Sequence, residues 1–341
     1  MESVVDGSSQ SRHQSENDRL NIQHAIIKSI MGGKLLMAPV NLERPNLRIL
    51  DSGTAQANWL LDLAGLVPST AQLTGTDIAP EQFPLPSQRP PNMTLQKQSI
   101  FDPWNEAMLG SFDVVHQRFV LAACQSDEHG RRAVANLLAL TKPGGWIELH
   151  EGNMLAIQEG EAHSAMMRFR DIAVAAWVSI GQVPNPGPRL TDWMRDAGVV
   201  DMYEEVQTIG LGAAARNQQE AEWSTELCLN MLQTIKRMTA GKGADAPSEQ
   251  EFDTLEVALR KELQENSEKS EERPEERPEE REGGGTINAD QTVDAVATIG
   301  SRAGATVIVV RRRDVVQYER IVRFRTCGRV EASVRLSARD K

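Results

Sequence analysis

No run of about 18 apolar residues occurs in this chain, so no membrane-spanning helix is expected. The polar opening MESVVDGSSQSRHQSENDRL lacks the apolar core of a secretory signal. Cysteine is scarce: Cys124, Cys228 and Cys327 are odd in number and far apart, which excludes a disulfide framework and a C-x-x-C metal pair and favours a reducing compartment. The formal charge of −11 argues against nucleic acid as the main partner, since phosphate binding wants clustered Lys and Arg. His13, His24, His129 and His163 show no metal-ligand spacing, and no H-x-x-x-H occurs, so no metal site is expected. G-x-S-x-G and the Walker A loop are also missing. These absences leave a soluble, cytoplasmic protein without a membrane partner as the expectation.

What is present is most telling at LRILDSGTAQANWLLDLA, residues 47–64. Leu47, Ile49 and Leu50 read as a buried strand ending in Asp51. Ser52, Gly53, Thr54 and Ala55 then form a tight turn, and Trp59, Leu60 and Leu63 mark an amphipathic helix over about 55–65. A glycine at a strand tip lets backbone amides approach a ligand, and the following helix N-terminus favours negative charge. Ala55 and Ala57 stand where a dinucleotide-binding turn has further glycines, which lowers a nicotinamide- or flavin-dependent oxidoreductase reading.

Further strands are expected at Gln72–Asp77, Met93–Gln98, about 112–116 and Trp146–His150, with a helix at Arg131–Leu140 and a turn at Lys142-Pro143-Gly144-Gly145. Strands alternating with helices predict an α/β fold with a doubly wound, mostly parallel sheet. An apolar helical pattern covers Asn21–Leu36, and residues 1–17 read as disordered. Helices are expected at Ala162–Ile180, Leu190–Ala197, 217–239 and 249–265, and a sixth strand at Met202–Ile209. The organisation expected is a helical lid over 18–45, a domain over 46–265, an acidic Pro-interrupted linker over 266–285 and an Arg-rich tail over 286–341. ATVIVV, residues 305–310, either supplies a last strand after a long insertion or belongs to sequence unrelated to the fold; the second is expected. The Arg-rich tail reads chiefly as a solvated strand edge and secondarily as a place for an acidic protein partner.

Candidate chemistry gathers at strand ends. Asp77 can accept both hydroxyls of a ribose. His116, with Gln117 and Arg118, reads chiefly as pocket lining and secondarily as a general base. His150 and Glu151 end the next strand, where base, substrate-orienting pair and ordinary loop residues all stay open. The tryptophans Trp59, Trp146, Trp177, Trp193 and Trp223 read as packing, as does Trp104.

At these residues the chain resembles the class I S-adenosylmethionine-dependent methyltransferases, and in particular the branch of fungal secondary metabolism that includes gliotoxin-pathway-type N-methyltransferases. The matching pieces are QHAIIKSIMGGKLLMAP, RILDSGTAQANWLLDLA, LTGTDIAP, IFDPWN, SFDVVHQRFVLAA and LTKPGGWIELHEGN, over about residues 17 to 265. The resemblance implies S-adenosyl-L-methionine as cofactor and a small-molecule acceptor methylated on N or O. It places the methionine half of the cofactor at Asp51, Ser52, Gly53 and Thr54, and the ribose and adenine at Asp77 and Ile78. Ile100 and Phe101 would lie against the adenine, and His116, Gln117 and Arg118 would border the sulfonium. A phenol or amide acceptor would need a base, for which His116 and His150 are the candidates. The chain departs from the family pattern at Ala55, Ala57 and Ser99, and these departures motivate an alternative: a methyltransferase-like regulatory protein with weak or no catalysis.

Overall fold

The computed structural model describes residues 7–157, 159–199, 202–241, 246–265 and 302–312. Its centre is a seven-stranded sheet. The strands are β1 (Arg48–Ser52), β2 (Gln72–Asp77), β3 (Met93–Lys97), β4 (Phe112–Arg118), β5 (Thr141–Asn153), β6 (Tyr203–Gly210) and β7 (Arg302–Arg311). They lie in the order β3-β2-β1-β4-β5-β7-β6. The first five are parallel, and β7 is antiparallel to both of its neighbours. The chain reverses its winding between β1 and β4, so a crevice opens there at the carboxyl ends of the strands.

The helices are α1 (Gly7–Ile30), α2 (Asn58–Ala64), α3 (Asp127–Leu140), α4 (Ser164–Ser179), α5 (Leu190–Asp196), α6 (Gln218–Thr239) and α7 (Glu249–Glu265). Strand alternation distributes the core over both sheet faces. Leu47, Ile49 and Val114 pack with Trp59, Leu60 and Leu63 of α2 on one face. Leu50, Val115, Ile147 and Leu149 pack with Leu137 of α3 and Trp193 of α5 on the other. A third cluster, including Phe169, Leu232 and Leu259, joins α4, α6 and α7 to Ile157 and Leu211, just beyond β5 and β6. Among the described residues no helix is long and apolar enough to cross a membrane.

Four expectations change. The segment ATVIVV is part of the fold, not sequence unrelated to it: β7 fills the slot between β5 and β6. Val310 joins the α3-side core, and the Arg312 guanidinium donates to the carbonyls of Leu138 and Ala139 at 3.1 and 3.2 Å, near the end of α3, where helix carbonyls lack intrahelical donors. The N-terminal helix begins at Gly7, inside the stretch expected to be disordered. Once the apolar turns around Ile26 and Ile27 nucleate it, the proline-free polar segment ahead of them extends it one hydrogen bond per residue. α2 starts at Asn58 rather than 55, because Ala55 and Ala57 take left-handed backbone angles that a helix excludes. β5 already begins at Thr141, taking in the expected KPGG turn with a register irregularity opposite Phe112 and Val114.

Candidate active site

The ends of β1, β2, β4 and β5, with the segment after β3, border a cavity of about 590 Å³, which α1 and α6 also line. Gly53 and Ala55 come from the β1–α2 turn, Asp77 and Ile78 from β2, Ile100 and Phe101 from the segment after β3, Arg118 from β4 and Glu151 from β5. A neighbouring pocket of about 60 Å³ shares Gly53, Ala55 and Arg118 and adds Asp51, Thr54 and His24.

The β1–α2 turn owes its shape to hydrogen bonds. Asp51 Oδ2 accepts from Thr54 Oγ1 at 2.7 Å, Thr54 N donates to Thr76 O at 2.9 Å, and Asp77 Oδ2 accepts from Ala55 N at 2.9 Å. Asp77 Oδ1 accepts from Ala79 N at 3.0 Å. Asp77 therefore braces two turns while facing the cavity. Gly53 has φ +70°, and a Cβ there would collide with Val120. The backbone passes this point only because glycine has no side chain. Ala55 and Ala57, at φ 46° and 60°, adopt the backbone that family glycines would supply, at a cost of about 1–2 kcal/mol each. The half-buried Ala55 makes this testable. Ala55→Gly relieves that strain against about 0.4–1 kcal/mol of extra unfolded-chain entropy, so a gain of roughly 0.5–1 kcal/mol and a melting temperature higher by about 1–4 °C are expected in calorimetry.

His116 and His150 sit elsewhere than expected. β4 runs two residues past His116 and β5 three past His150, so both side chains lie inside the sheet, at 0% and 1% exposure. Neither borders the main cavity, and neither is placed to take a proton from an acceptor in it. His116 stacks on Trp59 at 3.8 Å between ring centroids, with an angle of 3°. Its Nδ1 lies 2.8 Å from Asp51 Oδ1, while Nε2 has no partner among the described residues. Burial first, then the neighbouring His150 and Arg118, hold His116 well below its ordinary pKa. It is thus the neutral ring donating Nδ1–H to Asp51, whose own carboxyl burial pushes up to about 6. His150 Nε2 meets Glu148 Oε1 at 2.8 Å, and Glu148 Oε2 accepts from the amides of Met37 and Ala38 at 2.9 and 2.8 Å.

Asp51, His116 and Glu148 stand side by side across β1, β4 and β5. The nearest ligand atoms of His116, Glu148 and His150 fall within 4.8 Å of one another, a grouping that linear spacing did not reveal. Glu148 is fully engaged by His150 and two amides, so the group reads as a hydrogen-bonded brace beneath the site. Ser52, Thr76 and Gln117 form a second cross-strand row on the opposite face, buried and with side-chain atoms that have no partner among the described residues. Ser52 and Gln117 therefore do not line the main cavity, and Asp51 and Thr54 border only the small pocket.

Several contributors escaped sequence reasoning. Glu16, Arg19 and Gln23 of α1 line the cavity, and their helical spacing was the available signal. Trp177, read as packing, does pack against the cluster of α4, α6 and α7, and it also lines the cavity wall. Arg118 is tied to α1: its guanidinium lies 2.8 Å from His24 Nδ1, and His24 Nε2 and Lys28 Nζ meet Asp62 of α2 at 3.2 and 2.5 Å.

The family model described as a methyltransferase domain matches residues 49–145, the segment that carries β1 to the start of β5. The chain is 96% identical to the N-methyltransferase tcpN of Claviceps purpurea over 265 residues, 78% of this chain and 94% of that protein. It is 34% identical to the N-methyltransferase gliN of Aspergillus fumigatus, over 73% of this chain and 88% of the relative. It is 35% identical to the N-methyltransferase sirN of Leptosphaeria maculans, over 73% and 87%. With the strand order and the strand-end cavity, these matches establish that the chain belongs to the class I S-adenosylmethionine-dependent methyltransferases, in the branch found in fungal secondary metabolism.

Proposed function

We propose that the chain transfers the methyl group of S-adenosylmethionine to a nitrogen of a small-molecule acceptor within the main cavity. The residues suit the cofactor on their own account. Asp77 offers a carboxylate at the rim beside Ile78, while Ile100 and Phe101 supply apolar surface suited to an adenine. The Gly53 backbone stands bare at the wall where a side chain has no room. Ser99, at the position of a family acid, also lines the cavity, with its Oγ accepting from Phe101 N at 3.2 Å. Asp77, Ile78, Ile100 and Phe101 would hold the adenosine half, and Gly53, Ala55 and Arg118 would border the methionine half. The choice of nitrogen rests on the names of the three relatives.

When bound, the cofactor supplies an activated methyl group on a sulfonium. The protein's part is alignment and exclusion of water, which in favourable cases accounts for about 7–11 kcal/mol of barrier lowering. α1 contributes by covering the cavity, held by the His24, Lys28 and Asp62 contacts. The observation carrying this reading is Asp77 at the edge of an apolar strand-end cavity. Calorimetry with S-adenosylhomocysteine tests it. Asp77→Ala removes hydrogen bonds to a charged group, so a dissociation constant about 10–100-fold higher than wild type is expected. Unchanged affinity in the variant, or no binding by wild type at high micromolar ligand, counts against it. Carbon-13 NMR of a product labelled from the cofactor's methyl then tells N-methyl from O-methyl.

A further inference from the structure

The cavity wall holds one buried carboxyl that a cofactor-binding role does not use. Glu151 is 1% exposed. Its Oε1 accepts from Val120 N at 2.9 Å and Leu121 N at 2.7 Å, and its Oε2 makes no hydrogen bond among the described residues. Two amides thus fix one oxygen and leave the other for a ligand. Its neighbour Gly152 lines both the main cavity and a second chamber of about 150 Å³, walled chiefly by apolar groups such as Ile26, Ile27, Ile157, Met166 and Phe169. A Cβ on Gly152 would meet nothing within 4 Å, so open space lies beside this residue, one of those common to both.

We propose that Glu151 and this chamber form the acceptor site: the chamber takes an apolar body, and Glu151 Oε2 accepts the N–H of the nitrogen to be methylated. The acceptor class is therefore a small molecule bearing an N–H on an apolar ring or chain. This rests on the proposed N-methylation. In the transfer, the nitrogen lone pair forms the new N–C bond. The methyl carbon–sulfur bond breaks with its electron pair remaining on sulfur. The displaced N–H proton passes to Glu151 Oε2 and leaves later to water. Burial pushes the Glu151 carboxyl up to about 8, so the ionised form that accepts the N–H and takes its proton predominates above that pH, and transfer is expected to rise from pH 7 to pH 9.

Glu151→Gln discriminates sharply. The Val120 and Leu121 amides require an oxygen, so the amide NH₂ of the glutamine takes the place of Oε2 and offers a donor where an acceptor is needed. The probes are N-benzylacetamide, which has an N–H, and N-benzyl-N-methylacetamide, which does not. They are titrated by calorimetry into protein saturated with S-adenosylhomocysteine and into protein without it. At pH 9, where Glu151 is ionised, wild type is expected to bind the N–H probe about 10-fold tighter than its N-methyl counterpart, the difference expected of a hydrogen bond to a charged group. The preference disappears in Glu151→Gln, and Gly152→Val weakens both probes by narrowing the passage. Equal binding of the two probes to wild type, no binding of either, or a preference surviving in Glu151→Gln overturns the proposal. Failure of S-adenosylhomocysteine to bind wild type instead overturns the cofactor reading, while titrations without it still report on the acceptor site.

Discussion

Gly53→Ala is expected to lower the melting temperature by about 4–20 °C and to raise the dissociation constant of S-adenosylhomocysteine on the order of 100-fold. The stability loss has two sources: about 1–2 kcal/mol for placing a side chain at φ +70°, and about 1–3 kcal/mol for the collision of the new Cβ with Val120. The affinity loss follows because relief of that collision moves the turn that borders the cavity, and displacements of about 1 Å at such a site cost on the order of 100-fold. Val120→Ala makes room for the added methyl, so the double variant recovers the overpacking part of the loss but not the backbone part. Differential scanning calorimetry of the four proteins reads this coupling. Additive effects would show that Val120 is not what excludes a side chain at Gly53.

Glu151→Gln is expected to change how stability depends on pH. The Glu151 carboxyl titrates near 8 in the folded protein because burial outweighs the two amide bonds, against 4.5 as its ordinary value. Its folded pKa is raised, so its contribution to stability is fully present below about 4.5 and is lost as pH rises through about 8. The full swing is on the order of 4–5 kcal/mol, at about 1.4 kcal/mol per pH interval of one. Glutamine carries no proton to lose. Wild type and variant should therefore unfold alike near pH 5, while near pH 9 the variant should melt about 10 °C or more higher. A melting-temperature difference that stays constant from pH 5 to 9 would show that Glu151 is not buried as described. Asp51, pushed up to about 6 from 3.8 by its burial, adds a loss of the same sign between those two values, and it is common to both proteins.

The sheet and the strand-end crevice were legible because their signals are local. Leu47, Ile49 and Leu50 followed by Asp51 and Gly53, and QLTGTD ending in Asp77, mark strands that stop in polar, turn-forming residues. What was illegible depends on which way a side chain points. His116 and His150 read as edge residues because their strands were taken to stop there. Two or three more strand residues put both inside the sheet, braced by Asp51 and Glu148. The role of Glu151 depends on the Val120 and Leu121 amides, about thirty residues away in the chain, which no local pattern encodes. The last strand was missed because a long acidic stretch separates ATVIVV from α7, and only pairing with β5 and β6 identifies it as the seventh strand. Ala55 and Ala57 read as departures from the family pattern of the cofactor turn. In the fold they take the left-handed path and leave Gly53 as the point of close approach.

A crystal structure of the protein with S-adenosylhomocysteine tests the central claim most directly. Ribose hydroxyls on the Asp77 carboxylate, with the adenine against Ile78, Ile100 and Phe101, is the arrangement this account predicts. A ligand seated away from the β1, β2 and β4 ends, with the strand-end cavity left to solvent, would contradict it.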